Sequence, residues 1–193
     1  MPADELRTPR LSLTPFTRDD FDRFFEACVL DPEVIRFWWR YGRTDLTLGQ
    51  KRQMAIVDFL EPAEEGFRDA GLIVWSARVL DPALGPPGDF VGLVGVVPAE
   101  MPDQGPEPDL GYILAARYQG ICLATEAGRV VVADAFARYG LERMAAIVDE
   151  PNTGSRRVLE KLGFRQVLRW VGEDGMPMLR FVIERAEVDQ LAL

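Results

Sequence analysis

Hydrophobic side chains recur with two different spacings along this chain, and the change between them divides it into regions. Residues 10–16 alternate apolar and polar positions, which predicts a first strand with one buried face. Between residues 17 and 60 the apolar positions recur at intervals of three and four, which predicts three amphipathic helices. We expect the second helix to run through the aromatic residues 37–39. The third is expected from Thr47 to Leu60, with Pro62, Gly66 and Gly71 ending it.

Strand-like patterns take over after residue 71. Residues 72–80 and 90–97 are rich in valine, leucine and isoleucine, and they predict an antiparallel pair of strands. The stretch that follows, residues 98–108, is rich in proline and in acidic residues such as Glu107. Because proline interrupts regular structure, we expect this stretch to be a loop.

A short buried strand, a turn and a long helix follow. Residues 110–114 predict the strand, Gly120 marks the turn, and a helix that is apolar on nearly every side is expected over residues 124–139. The first amides of such a helix have no partner within the helix and point back over the strand end. Together with the positive end of the helix dipole, they predict a site for an anion such as a pyrophosphate.

The last part of the chain predicts a crossover and a closing hairpin. Residues 143–148 are expected to form a strand parallel to the one before the long helix, because a crossover connection requires that direction. A final helix is expected over residues 152–162. Two strands, over residues 164–171 and 178–185, are then expected to close the sheet.

Composition narrows the chemistry that such a fold carries. The 193 residues suit one α+β domain over residues 1–193, with a core at about 8–185. The absence of histidine excludes Ser-His-Asp catalysis, and the two cysteines lack metal-site spacing, so we expect no metal. A net charge of −9 argues against nucleic acid or a membrane as partner. With no signal-peptide pattern, we expect a cytoplasmic protein.

Three short motifs stand in this predicted context. They are Leu-Gly-Tyr-Ile-Leu at 110–114, Arg-Tyr-Gln-Gly-Ile-Cys-Leu-Ala-Thr-Glu-Ala at 117–127, and Glu-Pro-Asn-Thr-Gly-Ser-Arg-Arg-Val-Leu-Glu-Lys-Leu-Gly-Phe at 150–164. With the order of elements, they resemble the GNAT superfamily of N-acetyltransferases, in particular the branch of the ribosomal-protein N-terminal acetyltransferases. The resemblance implies a mixed, mostly antiparallel twisted sheet with flanking helices and a splayed central pair of parallel strands.

The same resemblance implies acetyl-CoA as co-substrate. The cofactor signature of the family, Gln/Arg-x-x-Gly-x-Gly/Ala, falls on Arg117, Gly120 and Cys122, where cysteine replaces glycine or alanine. By resemblance, amides of the turn hold the pyrophosphate and the strand end holds the pantetheine arm. The residues assigned to the cofactor are Ile113, Leu114, Arg117, Gly120, Cys122, Leu123, Ala124, Thr125, Asn152 and Ser155.

Catalysis in this family needs a proton acceptor for the amine and a donor for the oxyanion. By resemblance, Asp109 is the candidate acceptor, with Glu150 and Glu100 as alternatives, and the amide of Leu114 is the candidate oxyanion donor. Ser155 is the candidate for protonating the leaving thiolate, and Tyr112 and Tyr118 are further candidates for proton transfer. Asn152 and Ser155 are also favoured at helix starts whatever the function.

The expected acceptor pocket lies between the cleft and the N-terminal helices, and it brings in Phe37, Trp38, Trp39 and Tyr41. The predicted function is acetyl transfer from acetyl-CoA to a primary amine, either a protein N-terminus or a small molecule, by direct attack in a ternary complex. A CoA-binding or partner-binding module without turnover, and an antibiotic- or toxin-modifying acetyltransferase, are the alternatives. We expect a monomer or a homodimer.

Overall fold

A computed structural model describes residues 5–37, 43–68, 73–101, 105–172 and 175–191. Eight strands form one sheet: β1 (Leu6–Arg7), β2 (Leu11–Pro15), β3 (Val74–Val79), β4 (Phe90–Met101), β5 (Gly105–Leu114), β6 (Arg143–Asp149), β7 (Arg165–Val171) and β8 (Pro177–Glu184). Their order across the sheet is β1-β2-β3-β4-β5-β6-β8-β7. Neighbouring strands run antiparallel except β5 and β6, which run parallel. The predicted mixed, mostly antiparallel sheet is confirmed.

Helices flank this sheet. They are α1 (Arg18–Phe24), α2 (Pro32–Ile35), α3 (Leu48–Ala55), α4 (Glu61–Arg68), α5 (Leu123–Tyr139), α6 (Thr153–Lys161) and α7 (Arg185–Leu191). Helix α5 packs against β4 and β5 and contacts α6 and α7. A Cβ on Gly128 of α5 would lie 2.8 Å from Leu162 Cδ1, so glycine lets the end of α6 approach closely. This close packing brings the starts of α5 and α6 to the same part of the sheet.

The third predicted helix continues past the point where proline was expected to end it. A π-helical turn, Ile56–Leu60, joins α3 to α4, and Pro62 lies in the first turn of α4. The amide of Glu61 donates to the carbonyl of Ile56, so the hydrogen-bond register changes directly before Pro62, and the proline is tolerated at this irregular point of the helix. The prediction that Pro62 ends the helix is therefore wrong.

Two further helices, α2 and α7, also differ from what the sequence predicts. Helix α2 ends at Ile35, and Phe37 lies in a turn rather than in the helix predicted through the aromatic residues. Aromatic side chains lose rotamer freedom in helices, which disfavours continuation through that run. At the other end, the unpredicted helix α7 follows β8, and the carboxylate of Glu187 accepts the amide of Glu184 at 2.8 Å.

The proline-rich stretch expected to be a loop is the outer part of a hairpin. Strand β4 extends to Met101 and β5 begins at Gly105, and across them Pro98 lies opposite Pro108. Ala99 lies opposite Glu107, so this acidic residue is part of a strand. The loop prediction is therefore wrong over residues 98–101 and 105–108, whereas residues 102–104 lie outside the described part of the chain. The prediction hid a side chain, that of Glu107, which matters at the site described below.

The backbone amides of β5 point alternately toward and away from β4, and this explains why the prolines are tolerated. The amide of Ala115 donates to the carbonyl of Val91 at 2.9 Å, and the register between β4 and β5 is unbroken. In an antiparallel pair only every second residue turns its amide toward the partner. Pro106 and Pro108 therefore occupy positions of β5 at which β4 needs no N–H donor.

The parallel strands β5 and β6 are in register at one position, Asp109 opposite Ala145. Beyond it the two strands lead toward Leu114 and Asp149 at the edges of a cleft. The predicted splayed central pair is confirmed. Because the strands separate, the backbone groups between them become available to a ligand.

Candidate active site

A cleft of about 650 Å³ opens where β5 and β6 separate. The starts of α5 and α6 form one side, and α2 reaches the other end. The candidate site residues that line it are Phe37, Asp109, Tyr112, Ile113, Leu114, Tyr118, Gly120, Cys122, Leu123, Ala124, Thr125, Asn152 and Ser155. Most residues assigned from the sequence to cofactor binding are thus brought together in one cavity.

The turn before α5 forms the anion end of this cleft. Gly120 has φ 77° and Cys122, which caps the helix, has φ 67°, so both lie in the left-handed region. The first amide bonded within the helix is that of Glu126, which donates to Cys122 O at 3.0 Å. The amides of the three preceding residues are therefore available at the helix start. The hydroxyl oxygen of Thr125 is buried there, without a hydrogen-bond partner among the described residues.

The left-handed conformation of Cys122 favours glycine over any residue that carries a Cβ. A residue with a Cβ pays about 1 kcal/mol in the left-handed region, whereas glycine pays none. The thiol is exposed, and Lys161 Nζ lies 3.7 Å from Cys122 Sγ. Cysteine thus changes the stability of the turn while leaving its backbone path intact.

A carboxylate holds this turn against the first strands. Glu126 accepts hydrogen bonds from the hydroxyl of Thr8 and from the backbone and side chain of Arg10. Arg10 also donates to the carbonyl of Ile121 at 3.1 Å. Burial works to raise the pKa of Glu126, but the bonds from Thr8 and Arg10 outweigh it and hold that pKa below its usual value. The ionised carboxylate fixes the turn.

The cations at the anion end come from α6. Arg157 and Lys161 both line the cleft, four residues apart on one face of that helix. By contrast, the guanidinium of Arg117 bonds Asp89 at 2.8 Å and stacks on Tyr118, beside a second depression. The sequence prediction named Arg117 and missed the two α6 cations, although their i, i+4 spacing was a usable signal.

The edge of β5 faces the gap between the strands. Since the amide of Ala115 points to β4, alternation turns the amides of Tyr112 and Leu114 toward the gap. The side-chain amide of Gln119 donates to the carbonyl of Leu114 at 2.8 Å. The strand end therefore presents N–H donors to the cleft, while one of its carbonyls is held by the turn.

Asp109 lies at the bottom of the gap. Its Oδ1 accepts the amide of Ile147 at 2.9 Å, so a side chain takes the place of a backbone partner where the strands part. Burial raises the pKa of Asp109 to about 7, against the hydrogen bond from Ile147 and with a further contribution from the charge of Glu107. A carboxyl group with such a pKa exchanges protons readily near neutral pH.

Tyr112 and Asn152 join β5 to α6. The hydroxyl of Tyr112 donates to the backbone carbonyl of Ser155 at 3.0 Å, and burial raises the pKa of Tyr112 to about 12. The side-chain carbonyl of Asn152 accepts the amide of Ser155 at 3.1 Å, which caps the helix. Asn152 thus has the structural role that its residue type favours, and the side chain of Ser155 lines the cleft.

The remaining candidate site residues lie in the cleft, away from it, or outside the described residues. Phe37 lies at the α2 end of the cleft, whereas Trp38, Trp39 and Tyr41 lie outside the described residues. The carboxylate of Glu150 is exposed and bonds Arg169, which holds the pKa of Glu150 below its usual value. The hydroxyl of Tyr118 bonds Asp89 at 2.8 Å. The side chain of Glu100 is outside the described part of the structure.

The described residues contain neither a membrane-spanning helix nor a cluster of metal ligands. None of the helices in ranges 5–37, 43–68, 73–101, 105–172 and 175–191 has the length and apolar character needed to cross a membrane. Within the same ranges, acidic and cysteine side chains form no cluster of three or more suited to a metal ion.

Comparison with known proteins identifies similar chains. The family model described as the acetyltransferase (GNAT) domain matches residues 10–165. The uncharacterized protein YkkB of Bacillus subtilis (strain 168) is 29% identical over 170 residues, which cover 86% of this chain and 90% of YkkB.

Solved structures share the fold. A GnaT-family acetyltransferase from Bordetella pertussis, described as putative, superimposes with a TM-score of 0.70 at 23% identity, covering 93% of this chain and 99% of that one. A spermidine N-acetyltransferase from Vibrio cholerae, solved with CoA and spermine, gives 0.68 at 14% identity, covering 94% and 99%.

Proposed function

Because this chain belongs to the GNAT acetyltransferase family and is an acyltransferase, we propose that it transfers the acetyl group of acetyl-CoA to a primary amine in a ternary complex. The observation that carries the proposal is the cleft itself, in which the start of α5 and the carboxyl group of Asp109, with its raised pKa, share one cavity. The spermidine N-acetyltransferase of the same fold was solved with CoA and an amine.

The residues at the anion end suit a phosphorylated donor. Free amides at the start of α5 and the cations Arg157 and Lys161 complement a pyrophosphate. The buried hydroxyl of Thr125 offers a further hydrogen bond. Amides of Tyr112 and Leu114 point into the gap, where an extended pantetheine arm pairs with a strand edge in the same way as a peptide does.

The chemistry then follows from groups at the strand gap. The amine nitrogen forms a bond to the thioester carbon while Asp109 accepts the amine proton. The amide of Leu114 stabilises the oxyanion. The carbon–sulfur bond then breaks, and the hydroxyl of Ser155 passes a proton to the departing thiolate and regains one from solvent, while Asp109 releases its proton to solvent. Acetylated amine and CoA thiol are the products.

The acceptor is a primary amine of a small molecule or of a protein N-terminus. The carboxyl groups of Asp109 and Asp149 lie on the strands at the gap, whereas Arg157 and Lys161 lie on α6, so a cationic amine is favoured at the gap rather than along the whole cleft. Phe37 supplies an apolar surface at the α2 end, which suits the carbon chain that carries the amine.

The test is release of CoA thiol from acetyl-CoA in the presence of polyamines, aminoglycosides or peptides with free N-termini. We expect acceptor-dependent release, and Asp109→Asn to lower kcat/KM by about 100- to 1,000-fold. The matched control is Asp134→Asn, because Asp134 pairs with Arg138 on α5 outside the cleft.

Two outcomes would contradict the proposal. Failure of the wild-type protein to bind acetyl-CoA in calorimetry would remove the donor site. Binding without turnover across the acceptor panel would instead support a CoA-binding module, which is the alternative that sequence analysis left open.

A further inference from the structure

A charged cluster lies beside the cleft and is absent from the three family motifs. Glu107 accepts hydrogen bonds from Arg143 on β6 and from Arg180 on β8, and Arg143 Nε lies 2.7 Å from Glu107 Oε1. The side chains of Glu107 and Arg180 are 11% and 4% exposed. Water therefore screens these charges only weakly, and their fields reach neighbouring groups.

The strand geometry places this cluster next to the candidate base. Because β5 and β6 run parallel from their pairing at Asp109, Glu107 falls opposite Arg143, two residues earlier on each strand. Alternate residues of a strand share one face, so Glu107 and Asp109 project from the same side with Cα atoms about 7 Å apart. Arg180 lies opposite Ile147, whose amide binds Asp109.

We infer that Glu107, held by Arg143 and Arg180, is a positioning residue that sets the charge beside Asp109 and thereby the pH above which acetyl transfer proceeds. The inference rests on the proposed role of Asp109 as base. Glu107 itself touches neither substrate. A fixed negative charge makes a nearby carboxyl group hold its proton more tightly, and the arginines limit how strong that effect becomes.

Other groups face Asp109 and are kept unchanged in the test. Tyr112 lies on the same strand, and Asp149 ends β6 on the same face as Ile147. Glu33 and Arg36 line the cleft from α2. Burial remains the largest cause of the raised pKa of Asp109, so the cluster adjusts a proton affinity that burial has already increased.

The test uses two substitutions that push in opposite directions. Glu107→Gln removes the negative charge, so the acid limb of the kcat/KM profile should move down by about one pH unit. Arg143→Gln leaves Glu107 less compensated, so the same limb should move up by about half a unit. Damage to packing alone would shift the acid limbs of both variants in the same direction, or it would lower the plateau of kcat/KM without shifting either acid limb.

Arg143→Gln keeps the inference testable if Glu107→Gln unfolds the protein through loss of the buried Glu107–Arg180 ion pair. The side chain of Arg143 is 39% exposed, so its replacement is better tolerated. Glu142→Gln is the control, because that carboxylate is 86% exposed and pairs with Arg185. Its pH profile should match that of the wild type.

Failure of this inference is distinguishable from failure of the proposed function. If Asp109→Asn removes the acid limb while Glu107→Gln and Arg143→Gln leave it at the wild-type pH, Asp109 is the base and the cluster does not tune it. If Asp109→Asn leaves the limb in place, the base assignment itself is wrong.

Discussion

The two ends of the cleft are built in different ways. At the anion end the chain uses backbone: two residues in the left-handed region and the amides that begin α5. At the strand gap it uses side chains, with Asp109 bonded to a backbone amide and Glu107 bonded to two arginines. The first end depends on the path of the chain, and the second depends on which side chains meet across three strands.

This difference decides what each end tolerates. A backbone cradle accepts a changed side chain so long as the backbone angles survive, and Cys122 in place of glycine is such a change. A buried carboxyl group depends on every neighbouring charge and hydrogen bond. Substitutions that alter backbone freedom should therefore act at the first end, and isosteric changes of charge at the second.

The largest effect is expected from Gly120→Val. Gly120 has φ 77°, and a β-branched residue strongly disfavours that region, so the turn should lose the path that aims its amides. We expect affinity for acetyl-CoA in calorimetry to fall by more than about 100-fold. The control is Gly140→Val at the other end of α5, also at positive φ with open space around it. Equal losses from both variants would contradict a local effect.

The next effect concerns stability at the strand gap. The pKa of Asp109 is about 7 in the fold against an ordinary value of 3.8, so the fold favours the protonated form. Wild type should therefore lose stability relative to Asp109→Asn as pH rises from about 4 to about 7, and the difference should then level off at about 4 kcal/mol.

Denaturant unfolding at a series of pH values measures this difference. Asparagine keeps the acceptor for the amide of Ile147, so the comparison isolates the charge. If the difference in free energy of unfolding between wild type and Asp109→Asn stays constant from pH 4 to pH 8, Asp109 does not titrate in this range.

A smaller effect on acetyl-CoA affinity should distinguish Lys161 on α6 from Arg117 in the sequence motif. Lys161→Gln should weaken acetyl-CoA binding by about fivefold at low salt, and less at high salt, because this exposed charge is screened. Arg117→Gln should leave that affinity unchanged, since Arg117 is bonded to Asp89. If calorimetry instead shows the larger loss of acetyl-CoA affinity for Arg117→Gln, then Arg117 rather than Lys161 contacts the phosphate.

The smallest effect is expected at Cys122. Cys122→Gly should stabilise the protein by about 0.5 kcal/mol, because relief in the left-handed region outweighs the added flexibility of the unfolded chain. Cys122→Ala keeps the Cβ and removes only the thiol, so it should show no such gain. Thermal unfolding of the two variants side by side gives the comparison, and a gain shared by both would assign it to the thiol instead.

The same contrast explains how much could be predicted from the sequence. Gly120 and the apolar helix after it are local signals, and they predicted the start of α5 to within one residue. Glu107 lay in a stretch whose prolines predicted a loop, and its partner Arg180 is 73 residues away along the chain. Local patterns carry no information about such a pairing, so the charge cluster could not be predicted.

The seam between β5 and β6 also bears on how the molecule holds together. One register pair, Asp109 with Ala145, joins a half-sheet made from residues 6–114 to another made from residues 143–184. Each half consists of antiparallel ladders that can form before the two meet. The seam has fewer backbone pairings than the long ladders within either half, so a ligand that bonds both strands adds stability to the contact between the two halves.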